Sequence, residues 1–380
     1  MTISQAPALG TIPPGVVTLD DHETAARSRL DDNAWAYFSG GAGDETTLRA
    51  NRAAWNGINL NARVLQDLAG IDTQTSLLGS ALAHPILLAP VAFQKLAHPD
   101  GETATAFAAA AQDAGMVLST QSSVRLEDVA HAYLSTYRRP EGGAHSPLWF
   151  QLYVQPDRGF TRELVQRAEK AGFTALVVTV DAATSGVRDR ERRAGFQLPP
   201  GISAVNLEGM HPPSPRHVNT GESRLFDGLR DTALTWKDLE WLQSQTRLPV
   251  LVKGILHPED ARQSVREKVA GIIVSNHGGR TLDTLPPTAA VLPRIAHAVA
   301  GELPILADGG IRRGTDVLKA IAMGASAVLV GRPCVYGLAN AGALGVAHVI
   351  RLLRDELEIA MALTGCRDLQ ALPEDLLFTA

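Results

Sequence analysis

Short apolar segments recur along the chain from residue 84 onward, and a polar or glycine-rich turn follows each of them. Eight have the length and the apolar content of strands that are covered on both faces. They are Pro85–Pro90, Met116–Thr120, Trp149–Val154, Ala175–Asp181, Pro249–Gly254, Gly271–His277, Pro304–Gly310 and Ala327–Pro333. Segments rich in Ala, Glu and Arg between them predict helices such as Glu102–Ala114, Gly159–Ala171, Pro258–Val269, Pro287–Ala300 and Gly314–Met323.

This alternation predicts an α/β fold, a closed (β/α)8 TIM barrel over residues 84–380. An open doubly wound sheet would need fewer strands or a visible switch point. No Gly-x-Gly-x-x-Gly sequence follows the first strand, so the open sheet is disfavoured.

Two further regions differ from the barrel repeat. Residues 1–83 predict an N-terminal arm and a helical cap, with one helix over Thr18–Phe38 that Asp20 or Asp21 caps, and a second over Asp44–Asn56. After the fourth strand, residues from about 185 to 232 are rich in Pro, Arg, Gly and His. This composition predicts a mobile lid insertion over the barrel rather than a folded subdomain.

Composition narrows the classes of function. The chain has 380 residues, 45% of them hydrophobic, and a net charge of -5, which does not suggest a surface for nucleic acid or an anionic membrane. Its two cysteines, Cys334 and Cys366, lack the spacing of a metal or redox site. The N-terminus does not resemble a signal peptide, and no apolar run approaches the length of a membrane span. A cytoplasmic location is therefore expected.

Polar side chains follow every predicted strand, at the edge where α/β barrels carry their catalytic groups. His277 and Arg280 follow the sixth strand, and a base beside a permanently charged guanidinium suits an anionic substrate that must lose a proton. Taken alone, a structural histidine in a polar turn explains them equally well. Lys253 at the end of the fifth strand would be unusual inside a barrel without a paired anion.

The last two strand ends predict a phosphate site. Gly309, Gly310 and Gly331 let backbone N–H groups approach an anion, while Arg312 and Arg332 supply charge. The alternative is a pair of tight turns with solvent-facing arginines. Polar groups on the first four strand ends suit the rim of a planar heterocycle, and a lysine near that ring would stabilise a reduced flavin. The ring itself is not evident from these residues.

Three motifs together resemble the FMN-dependent 2-hydroxy acid oxidase family, which includes glycolate oxidase, lactate oxidase and mandelate dehydrogenase. They are Ser-Asn-His-Gly-Gly-Arg at 275–280, Asp-Gly-Gly-Ile-Arg-Arg-Gly at 308–314 and Val-Gly-Arg-Pro at 330–333. The similarity extends through Tyr37–Thr47, Leu88–Glu102, Gln151–Val154 and Thr179–Asp181, and covers the chain from about residue 17 to 370.

The resemblance implies a role for each strand-end residue. FMN would contact Pro90, Val91, Ala92, Ser119, Gln151, Thr179, Lys253 and Ser275 with its ring and ribityl chain, and Asp308, Gly309, Gly310, Ile311, Arg312, Gly331 and Arg332 with its ribityl end and phosphate. Arg280 and Arg188 would bind the substrate carboxylate, with Tyr37 as a further donor. His277 would be the catalytic base, Asp181 would orient it, and Tyr153 would bind the substrate hydroxyl.

Three of these roles have alternatives. Tyr37 would instead pack at the end of its helix, and Asp181 would be a helix N-cap. Because Arg188 lies in an arginine-rich segment, the arginine that binds the substrate would be two positions away. The chain also departs from several family members. Gln121 stands where they carry an aromatic residue, which leaves room for a larger or more polar substrate group. Phe93 and Gln94 differ from the commonest family residues, and Ala92 resembles the oxidases.

The resulting prediction is an FMN-dependent oxidase of small L-2-hydroxy acids. It would produce a 2-oxo acid and pass electrons to O2, giving hydrogen peroxide. The alternatives are a dehydrogenase with another acceptor, a monooxygenase that retains peroxide, and a peptide-modifying flavin oxidase. A flavin- or metabolite-binding protein without turnover is a fourth. The resemblance also suggests a homotetramer.

Overall fold

The fold is built from eight barrel strands, a short two-stranded hairpin and the helices around them. The computed structural model describes residues 9–136, 146–210, 221, 223, 225–226, 228–229 and 233–378. Its strands are β1 (Thr75–Leu77), β2 (Ser80–Leu82), β3 (Ile86–Leu88), β4 (Gly115–Ser119), β5 (Leu148–Leu152), β6 (Ala175–Thr179), β7 (Val250–Ile255), β8 (Gly271–Val274), β9 (Ile305–Ala307) and β10 (Ala327–Val330).

The helices precede the barrel, surround it and follow it. They are α1 (Leu19–Arg27), α2 (Asp32–Ser39), α3 (Thr46–Asn56), α4 (Gly101–Ala111), α5 (Leu126–Thr136), α6 (Arg158–Ala171), α7 (Asp189–Ala194), α8 (Trp236–Ser244), α9 (Pro258–Arg266), α10 (Thr288–Val299), α11 (Gly314–Ala322) and α12 (Arg332–Thr364). Of these, α5, α8 and α12 lie around the barrel but are not among the helices named from the sequence.

Strands β3 to β10 form a closed barrel, in which β10 pairs with both β9 and β3 and all neighbours are parallel. This confirms the predicted (β/α)8 TIM barrel. The closure follows from strands that are apolar on both faces. In β8, for example, Ile273 belongs to the cluster inside the barrel, while Ile272 and Val274 belong to the cluster beneath the helices.

The hairpin β1–β2 closes the lower end of the barrel. Leu77 and Leu82 are almost completely buried and belong to the same interior cluster as Ala175 and Ala327, which begin β6 and β10. Because β2 leads directly into β3, the hairpin lies at the amino ends of the strands. The opposite end, where the strands finish, is therefore the end open to chemistry.

The N-terminal cap differs from its prediction. The single helix expected over Thr18–Phe38 is two helices, α1 and α2, because Asp31 interrupts the first and caps the second through Ala34 N, 2.7 Å away. Thr18 is the N-cap of α1, and its hydroxyl accepts from Asp21 N at 3.0 Å. The expected cap at Asp20 or Asp21 is therefore wrong by two or three positions. Helix α2 ends at Ser39, one residue after the predicted end at Phe38, and Gly40 follows it.

Seven of the eight predicted strands extend too far at their carboxyl ends, whereas β7 ends at Ile255, one residue beyond its predicted end. Gly271–His277, for example, is a strand only as far as Val274. The residues after it turn sharply, with φ of 56° at His277 and 64° at Gly278. Polar residues that follow a strand in sequence therefore belong to the loops, which is where a functional site needs them.

The first part of the lid insertion, residues 188–197, contacts the cap. Arg190 forms a salt bridge with Glu45, and Asn33 exchanges two hydrogen bonds with the backbone of Gln197. Residues 188–197 therefore contact α2 and the loop before α3, while the mobility of the insertion stays a prediction. Residues 211–220, 222, 224, 227 and 230–232 of the predicted insertion lie outside the described residues.

Helix α12 is the one helix in the described ranges that is long and apolar enough to cross a membrane by length and composition. No such segment is predicted from the sequence, because Ala and Gly make up much of it. The structure buries 83% of its most apolar window, and the backbone leaves the helical conformation at Ala341 and Gly342. These are properties of a core helix.

Candidate active site

A cavity of about 1030 Å³, including its opening to solvent, lies where the barrel strands end. Most of the predicted site residues line it, from every strand end and from α2. They are Tyr37, Pro90, Val91, Ala92, Ser119, Gln121, Gln151, Tyr153, Thr179, Arg188, Lys253, His277, Arg280, Asp308, Gly309, Gly310, Ile311, Arg312, Gly331 and Arg332. The two exceptions, Asp181 and Ser275, lie directly behind this wall, in contact with lining residues.

His277 lines the cavity and forms a hydrogen-bonded pair with Asp181 behind it. His277 Nδ1 lies 2.9 Å from Asp181 Oδ1, so Nε2 is the ring nitrogen left to act on a substrate. Gly254 permits this approach, because a Cβ there would lie 2.4 Å from Asp181 Cβ. The predicted pairing of carboxylate and imidazole is therefore present in the structure, and Asp181 caps no helix.

His277 occupies a strained backbone conformation. Its φ of 56° lies in the left-handed region, which costs a non-glycine residue about 1 kcal/mol. A hydrogen bond from its N–H to Ser275 Oγ, 3.0 Å long, helps to hold the turn. Strain of this kind persists only where neighbouring contacts determine it, and it is common at functional sites.

The surrounding charges favour a neutral imidazole beside an ionised carboxylate. Burial and the positive charge of Lys253 lower the pKa of His277, against the opposing effect of Asp181. Burial raises the pKa of Asp181, but Lys253 and the His277 hydrogen bond outweigh it, so this pKa lies below its ordinary value. The histidine is therefore able to accept a proton at neutral pH.

Lys253 places a buried positive charge at the floor of the cavity. Its Nζ lies 3.3 Å from Asp308 Oδ2 and 2.9 Å from Ser275 Oγ. Burial lowers its pKa, but Asp308 and Asp181 outweigh that effect and raise it, so the ammonium stays charged. Both carboxylates supply the anion that the sequence requires for a lysine in this position.

Amide and hydroxyl groups form one wall. Gln151 Nε2 donates to Thr179 Oγ1 at 3.0 Å, and Gln151 Oε1 accepts from Thr120 N at 3.1 Å. Because these bonds fix the amide orientation, Gln151 and Thr179 present defined polar atoms to a ligand. On the same side, burial raises the pKa of Tyr153 to about 12, so its phenol remains a hydrogen-bond donor.

Two arginines and an aromatic pair form the opposite wall. The Arg280 guanidinium lies 5.0 Å from the Tyr37 ring centroid, and Arg280 Nη1 donates to the Tyr37 carbonyl at 2.6 Å. Phe196 of the insertion stacks on Tyr37 with ring centroids 4.8 Å apart. Arg188 lines the same wall, and its buried Nε has no hydrogen-bond partner among the described residues. Arg188 therefore lines the cavity as predicted, without the alternative shift of two positions.

The end predicted to hold a phosphate contains two arginines that are already engaged. Arg332 donates to the carbonyls of Phe38, Gly40 and Gly278 at 2.8–2.9 Å. Arg312 Nη2 lies 3.6 Å from Glu23 Oε2, and its side chain is only 16% exposed. The alternative of solvent-facing arginines is therefore excluded, although their role toward phosphate stays a prediction.

The cavity suits FMN by its chemistry. Asp308 Oδ1 is buried and has no hydrogen-bond partner in the part of the chain that the structure describes, and an acceptor of this kind fits the hydroxyls of a ribityl chain. Gly310 has φ of 86°, and a Cβ there would lie 2.5 Å from Asn51 O, so this loop requires glycine. Lys253 would face the flavin ring and the two arginines the phosphate, which is a charge distribution that FMN requires.

Several residues at the cavity are not predicted from the sequence. Phe38, Gly278 and Val335 line it, Phe196 stacks on Tyr37, and Glu191 contacts both wall arginines. Glu191 lies three positions after Arg188, a spacing that pairs opposite charges on a helix and could have indicated it. Phe196 has no such signal, because its contact with Tyr37 depends on the fold.

Three comparisons agree with this geometry. The family model of the FMN-dependent dehydrogenases matches residues 26–379. The L-lactate oxidase of Nostoc sp. is 49% identical over 359 residues, covering 93% of this chain and 96% of that protein. The glycolate oxidase of Spinacia oleracea is 42% identical and covers 93% and 94% of the two chains.

Solved structures give the same result. A crystal structure of mandelate oxidase with benzoyl-formic acid superposes with a TM-score of 0.83 and 41% sequence identity, covering 96% of this chain and 98% of that one. The match therefore includes the barrel, the cap and most of the insertion. The chain belongs to the family of FMN-dependent dehydrogenases.

Proposed function

We propose that the protein oxidises a small L-2-hydroxy acid to the 2-oxo acid and passes the two electrons to O2, giving hydrogen peroxide. One observation carries the proposal: the His277–Asp181 pair and the Arg188–Arg280 wall open into the same cavity, above the buried Lys253. A base beside a carboxylate-binding pair is the combination that a 2-hydroxy acid requires. A flavin-binding protein without turnover would not need the base.

The residues divide the reaction among them. Arg280 and Arg188 bind the substrate carboxylate, and bidentate contact fixes its orientation. Tyr153 donates to the hydroxyl, and His277 accepts the proton that the substrate loses. Asp181 stabilises the resulting imidazolium. Bound FMN supplies the two-electron acceptor, beside which Lys253 offsets negative charge.

Lactate is the first candidate substrate. Relatives named as L-lactate oxidases are 49%, 47% and 48% identical to this chain, while the mandelate oxidase structures are 40–41% identical. Gln121 lines the cavity with an amide rather than a large ring, which leaves space for a substrate side chain. Glycolate, which is smaller than lactate, and mandelate, which is larger, are the comparison substrates.

The test is anaerobic reduction of the FMN-loaded protein. L-lactate should bleach the flavin absorbance while D-lactate does not, because only one enantiomer places its hydroxyl at His277 with its carboxylate on the arginines. Readmitted oxygen should restore the yellow colour and release hydrogen peroxide equimolar with the lactate consumed. Recovery that requires an added quinone or dye would identify a dehydrogenase instead.

His277→Ala serves as the control. It should retain FMN and lose reduction by about 10³-fold, since general bases contribute 10²–10⁴-fold. Bleaching of this variant at the parent rate, or no bleaching of the parent by L-lactate, glycolate or L-mandelate, would contradict the proposal.

Two predictions about the setting of the reaction accompany it. A homotetramer is supported by exposed apolar side chains where α12 ends near the loop after α3, among them Leu363 (70% exposed) and Val64 (76% exposed). A cytoplasmic location stays a prediction from the sequence.

A further inference from the structure

Glu191 joins the two arginines that the proposed function assigns to the substrate carboxylate. Its Oε1 lies 3.1 Å from Arg188 Nη1 and 3.2 Å from Arg280 Nη2, so one carboxylate oxygen accepts from both guanidiniums. The Glu191 side chain is only 13% exposed, and it does not line the cavity. It therefore lies behind the arginines, on the side away from the reacting atoms.

The arginines keep donors for a ligand. Arg280 uses Nη1 for the carbonyls of Tyr37 and Gly40 and Nη2 for Glu191, which accounts for three of its five N–H groups. Within the described ranges, Arg188 contacts Glu191 through Nη1, and its buried Nε has no partner. A substrate carboxylate can bind the remaining donors without displacing Glu191.

We propose that Glu191 is a positioning residue that holds Arg188 beside Arg280 and, through its negative charge, limits how tightly this pair binds a carboxylate ligand. The proposal rests on the proposed function, since it concerns the same arginine pair. Two guanidiniums alone would repel each other and would bind the substrate and the 2-oxo acid product with two full charges. With Glu191 present, the group carries one net positive charge, which a monoanionic ligand neutralises.

The location of Glu191 supports a separate role for it. It belongs to α7 of the insertion, whereas Arg280 follows β8 of the barrel, so the contact joins the insertion to the catalytic wall. The neighbouring Arg190–Glu45 salt bridge attaches the same helix to the cap independently. Loss of the Glu191 charge should therefore alter ligand binding without releasing α7.

Two substitutions separate charge from geometry. Glu191→Gln keeps an oxygen that accepts from both arginines but removes the charge, so carboxylates should bind more tightly. Glu191→Asp keeps the charge but shortens the side chain by one methylene, so it cannot reach both guanidiniums, and carboxylates should bind more weakly. At the separations and partial burial of these groups, we expect changes of about tenfold in opposite directions.

The measurement is the Kd of pyruvate for the oxidised, FMN-loaded protein, followed through the flavin absorbance. Anaerobic reduction at saturating L-lactate should stay within about twofold of the parent in Glu191→Gln, because His277 and Asp181 are unchanged. Asp189→Asn is the matched control: it removes an acidic residue from the same helix whose partner is the exposed Arg192, and it should leave the Kd unchanged.

The outcomes are distinct. Weaker binding in both Glu191 variants would indicate a packing role only, and an unchanged Kd in both would show that Glu191 is not coupled to the ligand; either overturns the proposal. A parent protein that binds pyruvate and is bleached by L-lactate preserves the proposed function in both cases. A parent that binds neither compound overturns the proposed function and the role of Glu191 with it.

Discussion

The position of the base, His277, depends on several hydrogen bonds, each of which is modest in strength. His277 lies in a left-handed backbone conformation, held by Ser275 on one side and by Asp181 on the other. Ser275 accepts from both His277 N and Lys253 Nζ, so it connects the base to the buried cation. The sequence predicts Ser275 as an FMN contact, and the structure places it behind the cavity wall instead. That contact stays a prediction.

At this scale, Asp181→Asn should change the pH dependence of the first half-reaction. The reactive imidazole is unprotonated and its pKa lies below the ordinary value, so the parent rate should be level at neutral pH and fall only below about pH 6.5. Asp181 raises the pKa of His277, so its loss should move this limb to lower pH.

In Asp181→Asn, the rate of FMN reduction in the pH-independent range should also fall, by about 10²-fold or more. The reason is that an amide can stabilise the wrong tautomer of His277 and does not stabilise its imidazolium. Stopped-flow reduction of FMN by L-lactate across pH measures both effects, and the FMN content of the variant is the control. An unchanged limb and an unchanged rate would show that Asp181 does not act on His277.

At the scale of elements, the insertion forms part of the cavity wall and is also the predicted lid over the barrel. Residues 188–197 supply Arg188, which lines the cavity, Glu191, which contacts Arg280 of the barrel, and Phe196, which contacts Tyr37 of the cap. Composition alone predicts mobility for this segment. The structure adds contacts with partners more than 100 positions distant in sequence, such as Glu45 for Arg190.

The stacked pair of Phe196 and Tyr37 gives a prediction for this element. Phe196→Ala removes an aromatic contact of about 0.5–1.5 kcal/mol, so KM for L-lactate should rise by about 2–10-fold while the limiting rate of FMN reduction changes little. Phe226→Ala, at a side chain 69% exposed in the same insertion, is the matched control. An equal effect of both substitutions would count against a specific role for the stacking.

At the scale of the whole molecule, stability and chemistry lie at opposite ends of the barrel. The hairpin β1–β2 closes the lower end with Leu77 and Leu82, while the cavity opens at the upper end. This separation leaves the strained His277 turn free of any part in closing the core.

The separation predicts that Leu82→Ala destabilises the protein without changing its chemistry. The side chain is 1% exposed, and a buried Leu→Ala substitution costs about 2–5 kcal/mol in the free energy of unfolding. Denaturant unfolding should show this loss, and anaerobic reduction by L-lactate at low temperature should match the parent. Leu65→Ala, at a fully exposed position, should change stability by less than about 0.5 kcal/mol. A large loss of FMN reduction in Leu82→Ala would show that the two ends are coupled.

The sequence by itself determined the barrel and the residue types around its mouth. The eight apolar segments that it predicts are the eight barrel strands, because a strand covered on both faces must be apolar throughout. The carboxyl ends of the strands lie at one rim in a parallel barrel, so the predicted site residues must lie near one another. Local signals also indicated the break after Ser39, where glycines follow.

Only the tertiary structure decided which of these groups contact one another. The His277–Asp181 pair, the Lys253–Asp308 pair and the Glu191 bridge each join residues that are distant in sequence, and such contacts leave no pattern along the chain. The strained turn at His277 and the engaged donors of Arg332 are likewise invisible in sequence, because both result from packing. Local patterns specify elements, whereas distances and charges between elements specify the chemistry.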